Sequence, residues 1–443
     1  MERGNFGSKI GAVLASAGSA VGLGNIWRFP TECGSNGGAA FILIYLLCVF
    51  LLAMPVMIAE FVIGRASRSN TVGSYRVLAP GKPWVVSGFM GVAAGFLVLS
   101  FYSVVAGWTL DYTFESLTGG LMSETDFGAF FNDFVADPWH PAIFLLLFLL
   151  LTHCVVATGV EKGIERYSKI MMPMLLAIVL VLIGFSLTMP NAGIGIEFML
   201  RPDFSKVTKD VILSAMGQAF FTLSVGIGTL ATYASYFSKE TRLVPSALSV
   251  CAIDTLVAVA AGFIIFPAVF SVGVDADSGP GLVFITLPYV FQEAFGSVPV
   301  LKYVFSGLFY LLLLLAALTS SISMHEICTA YIHETFRLSR RLSAAIVTCI
   351  CFVMGVACSL SFGIWKDVTV MGMGFFDLFD FVTAKFLMPL GGLLICTFVG
   401  WDMNKKLVAG ELDSTFTPLL MVLFSWVAPI GIGIIFIYGL MSN

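Results

Sequence analysis

The chain has 443 residues, 58% of them hydrophobic and 11% charged, and its mean hydropathy is +0.97. A soluble globular protein carries about 25% charged residues, so this chain has too few to cover a water-facing surface, which excludes a soluble enzyme and a disordered protein. A net charge of -4 and a pI near 5.6 leave no basic face for a nucleic acid.

Apolar runs of about 20 residues, the length that crosses a bilayer, recur along the whole chain. Eleven spans are predicted: 8–30, 38–63, 85–114, 141–158, 167–188, 211–237, 243–271, 300–335, 342–361, 375–400 and 416–440. They are continuously apolar and do not alternate, which excludes a transmembrane β-barrel and makes the chain an all-α polytopic membrane protein. Span 1 follows Arg3 and Lys9 and runs through Arg28 with no cleavage-site pattern, so it reads as a retained helix. Basic residues set the orientation. With the N-terminus in the cytoplasm, sixteen of the 23 lie inside, from Arg3 and Lys9 to Lys405 and Lys406, against Arg201, Lys206, Lys209, Lys302 and Lys366 outside. The N-terminus is therefore expected inside and, after eleven spans, the C-terminus outside. The polar stretches 115–140, 189–210 and 273–299 all fall outside, and 1–443 reads as one membrane domain.

Little in the chain points to enzymatic chemistry. The nine cysteines are scattered, mostly within spans and never spaced as CxxC, as packing residues are. After His325-Glu326, Thr329 stands where a zinc hydrolase needs its second histidine. No enzyme activity, organic cofactor or obligate protein partner is expected.

Two spans carry glycine-rich patches at mid-membrane depth. Span 1 contains Gly18-Ser19-Ala20-Val21-Gly22-Leu23-Gly24-Asn25, and span 6 contains Thr222-Leu223-Ser224-Val225-Gly226-Ile227-Gly228-Thr229. Glycine weakens a helix there, and backbone unwound at that depth needs partners other than lipid. Close helix packing is an alternative, since Gly18 and Gly22 have GxxxG spacing. Yet span 1 opens a first block of five spans and span 6 opens a second. Paired interruptions at matching positions of two halves point to a transporter site at their interface. Gly226-x-Gly228-x-x-Ala231 follows no strand and is not a dinucleotide fingerprint.

The motifs GSAVGLGNIWRFP in span 1, QAFFTLSVGIGTLATYASY in span 6 and ALTSSIS in span 8 resemble those of the neurotransmitter:sodium symporter family, in order along nearly the whole chain. The resemblance implies the LeuT-type 5+5 inverted repeat, with discontinuous helices 1 and 6. It assigns 8–188 to the first repeat, 211–400 to the second and 416–440 to an additional eleventh helix. Several bacterial amino-acid transporters of the family have eleven, and the short termini suit a bacterial cytoplasmic membrane.

By this resemblance, Ala20, Leu23, Gly24, Tyr102, Phe221, Thr222 and Ser224 hold the backbone part of an amino acid, whose carboxylate faces the half-helix starting near Leu23. Val98, Tyr102, Phe221, Ser224, Ile227, Ser320 and Met324 form an uncharged side-chain pocket that suits a hydrophobic L-amino acid, with some breadth of choice. Gly22 stands where amine carriers have an aspartate. One sodium site is implied at the Ala20 carbonyl, Asn25, Thr222 and Asp254, together with the substrate carboxylate. A second is implied at the Gly18, Val21 and Ala316 carbonyls with Thr319 and Ser320. Taken alone, the hydroxyls of Thr319-Ser320-Ser321 would read as bonding back to their own helix; opposite an unwound span 1 they read as ligands.

Relatives carry asparagine at Asp254, and a lone aspartate in mid-membrane is a functional hypothesis in its own right. Chloride-dependent relatives bind the anion near the residues matching Tyr45, Gln218 and Thr222, with a serine matching Ala258. Asp254 is therefore expected to supply the charge that chloride supplies elsewhere, and it is a candidate for proton exchange on the return step. Arg28 and Asp380 match the outer gate pair. Arg3 and Glu334 match the inner pair, with Tyr236 nearby and Phe6 in place of a tryptophan; Arg3 reads equally well as a positive-inside residue. Glu60 is expected to satisfy N–H groups of the unwound span 6. Gly163 and Pro173 match a spacing linked to unwinding of span 5, although an ordinary helix start fits as well. Lys385 has no assigned role. Sodium-coupled symport of hydrophobic amino acids is thus expected, probing alternatives being a carrier of another small amine or osmolyte, or a transport-inactive sensor.

Overall fold

The computed structural model describes residues 4–273, 281–295, 299–412 and 415–441. Among them, nine helices are long and apolar enough to cross a membrane: Ala39–Ser67, Val85–Thr118, His140–Ala157, Val160–Ser186, Leu243–Val272, Val300–Phe336, Arg340–Leu360, Phe375–Asp402 and Thr417–Gly439. These are spans 2 to 5 and 7 to 11. Span 1 is a tenth in two pieces, Lys9–Ala20 and Gly24–Ser35, bent by 54°. Span 6 is split further, into Lys209–Thr222 and Thr229–Ala234. Its longer piece has 14 residues; at about 1.5 Å per residue that is far short of a hydrocarbon core about 30 Å thick. The interruption expected in span 6 is thus six residues, Leu223 to Gly228, rather than a local weakening.

Some boundaries differ from the sequence expectation. Span 5 begins at Val160, not at 167, because a π-helical turn, Val160–Glu165, follows Gly159 (φ 106) and carries the charged residues into the helix. The long polar stretches are not plain loops: they contain the helices Phe127–Ala136, Ala192–Leu200 and Leu282–Ala294.

The polarity is arranged for lipid. Leu180, Leu256, Val353 and Ile430 are more than half exposed, whereas Asn25, Glu60, Gln218 and Asp254 are completely buried. A water-soluble fold would reverse this. Spans 3 and 8 pack along one another; the pieces of span 1 pack on span 7, and the pieces of span 6 pack chiefly on span 2. At the break of span 6, Gly226 has φ 90, and a Cβ there would stand 2.3 Å from the Met388 carbonyl oxygen of span 10. No other residue type tolerates both that conformation and that approach.

Candidate functional site

The two breaks release backbone groups that span 1 and span 6 satisfy differently. In span 1, Val21 turns to an extended conformation (φ -68, ψ 112) and ends the helix. The Gly22 N–H then donates to Asn25 Oδ1 at 2.8 Å, and the Leu23 N–H to the Tyr102 hydroxyl at 3.2 Å. The carbonyls left behind turn towards span 8. Ser320 Oγ lies 2.9 Å from the Val21 oxygen, 3.4 Å from that of Ser19 and 3.5 Å from that of Gly18. Thr319 Oγ1 lies 3.2 Å from the Val21 oxygen and 3.0 Å from that of Ala316. Each hydroxyl has one proton to donate, so these two cannot satisfy every carbonyl around them. A surplus of converging oxygen lone pairs fits a hard cation.

A second oxygen cluster lies across span 1. Asn25 Nδ2 donates to Asp254 Oδ1 at 2.7 Å and to the Asp254 carbonyl at 3.1 Å. The Thr222 hydroxyl stands 3.3 and 3.4 Å from the two Asp254 carboxylate oxygens. Tyr45 lies beside Asp254 and Thr222, and Gln218 Oε1 is buried with no hydrogen-bond partner among the described residues. Asn25, Thr222 and Asp254, named together from the sequence, are therefore together in space.

Between the clusters is a cavity of about 30 Å³. All eleven residues assigned to the substrate line it: Ala20, Leu23, Gly24, Val98, Tyr102, Phe221, Thr222, Ser224, Ile227, Ser320 and Met324. Gly22, Phe101, Thr383 and Met388 complete the wall, and no ionisable carboxylate, amine or imidazole takes part. One water needs roughly 10–15 Å³ in this measure, so the cavity is nearly closed and a ligand must part its walls. Above it a vestibule of about 540 Å³ is lined by Trp27, Arg28, Phe101, Phe376, Asp380 and Lys385, among others.

The outer gate residues share this vestibule but do not pair. Arg28 lies 3.7 Å from Glu32 on its own helix and covers the Phe221 ring at 4.3 Å, so the direct Arg28–Asp380 contact is absent in this state. The open vestibule between spans 1 and 10 is the physical reason. At the inner end, Arg3 lies outside the described residues. Glu334 accepts from the Asn70 N–H at 3.0 Å and from Asn70 Nδ2 at 2.8 Å. Phe6 sits edge-on to Tyr233 and Tyr236, and its N–H donates to the Tyr236 carbonyl at 3.1 Å. Glu60 caps span 6 as expected: its carboxylate accepts from Gly226 N at 2.7 Å and Ala231 N at 3.2 Å. Gly163 lies in the π-helical start of span 5, and Pro173 lies inside the following helix without unwinding it.

Sequence reasoning missed Phe101, Thr383 and Met388. Hydropathy reports membrane depth but not direction, so apolar residues of spans 3 and 10 carried no signal that they face a cavity. It also missed the buried Glu326, which accepts from the Tyr236 hydroxyl at 2.7 Å and is paired with Arg340. An acid inside span 8 followed by a basic loop was the available signal.

Comparison with known proteins bears on this geometry. The model of the sodium:neurotransmitter symporter family matches residues 3–133 and 132–443. The chain belongs to this family. It is 40% identical to the sodium-dependent transporter YhdH of Bacillus subtilis, over 98% of this chain and 96% of that protein. It is 27% identical to the sodium- and chloride-dependent GABA transporter 2 of Homo sapiens, over 87% of this chain and 70% of that protein. The crystal structure of MhsT in complex with L-phenylalanine superposes with a TM-score of 0.91 at 45% identity, covering 99% of this chain and all of that one. The protein is thus a sodium-dependent, multi-pass membrane symporter with the LeuT-type fold. In this symporter the two interrupted helices and the hydroxyls of span 8 meet at one place, around the small cavity.

Proposed function

We propose that the protein couples the entry of sodium to uptake of hydrophobic L-amino acids by alternating access, with two sodium ions and without chloride. The observation that carries this reading is the uncharged pocket. With no charged wall, both charges of a zwitterion fall to the broken helices and to a bound cation, while the apolar wall takes the side chain. The solved complex of MhsT holds L-phenylalanine, which supports a ligand of this class. Gly22 argues against an amine: it offers no carboxylate, and a Cβ there would stand 2.5 Å from Ser320 Oγ and 3.0 Å from the Tyr102 hydroxyl, so an aspartate would have to displace both side chains.

In this reading the first sodium is held by the Ala20 carbonyl, Asn25, Thr222, Asp254 and the substrate carboxylate, so ion and substrate bind each other's site. The second is held by the Gly18, Val21 and Ala316 carbonyls with Thr319 and Ser320, and it ties span 1 to span 8. The Asp254 carboxylate stands beside Tyr45 and Thr222, where it can supply the negative charge and also exchange a proton on the return step, and Ala258 offers no hydrogen bond to an anion, so chloride is not needed. With the N-terminus in the cytoplasm and the C-terminus outside, the vestibule opens outward. Arg28 and Asp380 close it over a bound substrate. Arg3 and Glu334 close the inner side until the second sodium leaves into a low-sodium cytoplasm. Gate pairs of this kind break in every cycle, which suits solvated ion pairs of modest strength.

The test is uptake of radiolabelled leucine, phenylalanine and tryptophan into proteoliposomes, with an inward sodium gradient or with potassium. Sodium-driven accumulation, unchanged when gluconate replaces chloride, is expected. Binding without accumulation would mean a sensor, and no binding of any hydrophobic amino acid would overturn the pocket assignment.

A further inference from the structure

Glu165 is a buried acid that the scheme above does not use. It lies at the end of the π-helical turn Val160–Glu165 and is 2% exposed. One oxygen accepts from the Gly7 N–H at 2.5 Å; the other accepts from the Ser8 hydroxyl at 2.8 Å and lies 2.6 Å from Lys169 Nζ. Ser8 is in turn the N-cap of span 1, its hydroxyl accepting from the Gly11 N–H at 3.0 Å. The chain entering span 1 lies against span 5, and three glycines lie along the contact. A Cβ on Gly4 would stand 3.2 Å from Val160 Cγ2, one on Gly7 3.3 Å from Glu161 Oε1, and one on Gly11 2.2 Å from Glu165 Oε1. The neighbouring N–H of Phe6 is held from the other side, by the Tyr236 carbonyl of span 6. Successive amides of this segment are thus clamped by two different spans.

We infer that Glu165 is the latch of the inner gate: its carboxylate holds the cytoplasmic start of span 1 against span 5 while the substrate site is closed to the inside, and releases it when the site opens inward. The inference rests on the symport reading and adds a positioning residue to it. The bonds are charge-assisted and therefore strong. They are also reversible without leaving a bare buried charge, because Lys169 is on the same helix, moves with Glu165, and is 42% exposed. A carboxylate whose only partners were Gly7 and Ser8 would be stranded on opening.

The test compares wild type with Glu165→Gln and Glu165→Ala, purified in detergent. Amide hydrogen exchange over residues 4–20 is measured in sodium and in potassium, with exchange in span 3 as a control for folding. Faster exchange of 4–20 in both variants, by about tenfold in sodium and with span 3 unchanged, is expected. Binding of labelled L-phenylalanine should weaken about threefold to tenfold at low sodium and recover at high sodium, because the variants populate the binding-competent state less. A role confined to folding would lower the number of sites and leave the sodium dependence unmoved. Unchanged exchange of 4–20 in both variants would overturn the latch. Failure of wild type to bind any hydrophobic amino acid would overturn the transport reading instead, and the exchange comparison would still decide the latch.

Discussion

The two broken spans look alike in sequence and are built for different ends. In span 1 the freed carbonyls meet the hydroxyls of Thr319 and Ser320, and the freed Gly22 N–H meets Asn25 Oδ1, groups that can turn towards an arriving ion. In span 6 the freed donors meet the Glu60 carboxylate, a group fixed by burial and already committed to Gly226 and Ala231. One break keeps its carbonyls available; the other has its N–H groups closed off. Freed backbone groups are open to an ion only where their partners are exchangeable, and the difference lies in the neighbouring spans rather than in the glycines.

This contrast can be broken from either side. The largest effect is expected at span 6. Glu60→Ala leaves buried N–H groups without an acceptor, at a cost of about 1–3 kcal/mol for each, and should leave little monodisperse protein by size-exclusion chromatography even in potassium. If Glu60→Ala purifies with wild-type melting behaviour, the fixed-cap description fails. Next is Asp254→Asn at the first oxygen cluster. It should raise the sodium concentration needed for half-maximal uptake by one to two orders of magnitude, roughly what loss of a charge-assisted contact of ~1.5–3 kcal/mol implies, while wild type shows no response to chloride removal. A wild type that stops transporting in gluconate would contradict the role given to Asp254. Thr319→Val at span 1 should weaken sodium binding by about tenfold, the loss of one ligand worth ~1.4 kcal/mol, with the melting temperature in potassium barely changed. A large melting loss in potassium would make Thr319 a cap like Glu60 and erase the distinction. Smallest is Ile227→Ala, which enlarges the side-chain pocket. Discrimination should move towards tryptophan over leucine by about 1–3 kcal/mol at most, read as the ratio of competition constants in sodium.

Much of this contrast was legible beforehand, for reasons that differ by residue. Gly226 and Gly228 announce a break because only glycine suits their positive φ values of 90 and 88. Asp254 and Glu60 announce themselves because an acid at that depth needs a reason to be there. Thr383 and Met388 could not be found in this way, since a threonine or methionine in an apolar run is equally at home against lipid, a neighbouring helix or a cavity. Arg28 and Asp380 match an outer gate pair by motif, and the structure shows them lining one vestibule without direct contact. Motif spacing identifies residues that can meet, and the conformational state decides whether they do.

The sequence by itself determined the class of molecule, the depth and number of its spans, the places where two of them break, and the residues that gather at those breaks. These are local matters, set by transfer of apolar side chains into lipid and by the torsional freedom of glycine. Only the tertiary structure decided which freed backbone groups remain available, how nearly the pocket is closed, and that the chain before span 1 is held by Glu165. Those outcomes depend on contacts between segments far apart in the chain, such as the 158 positions between Gly7 and Glu165. No pattern within either segment encodes them, because a hydrogen bond between distant segments is set by how whole helices pack.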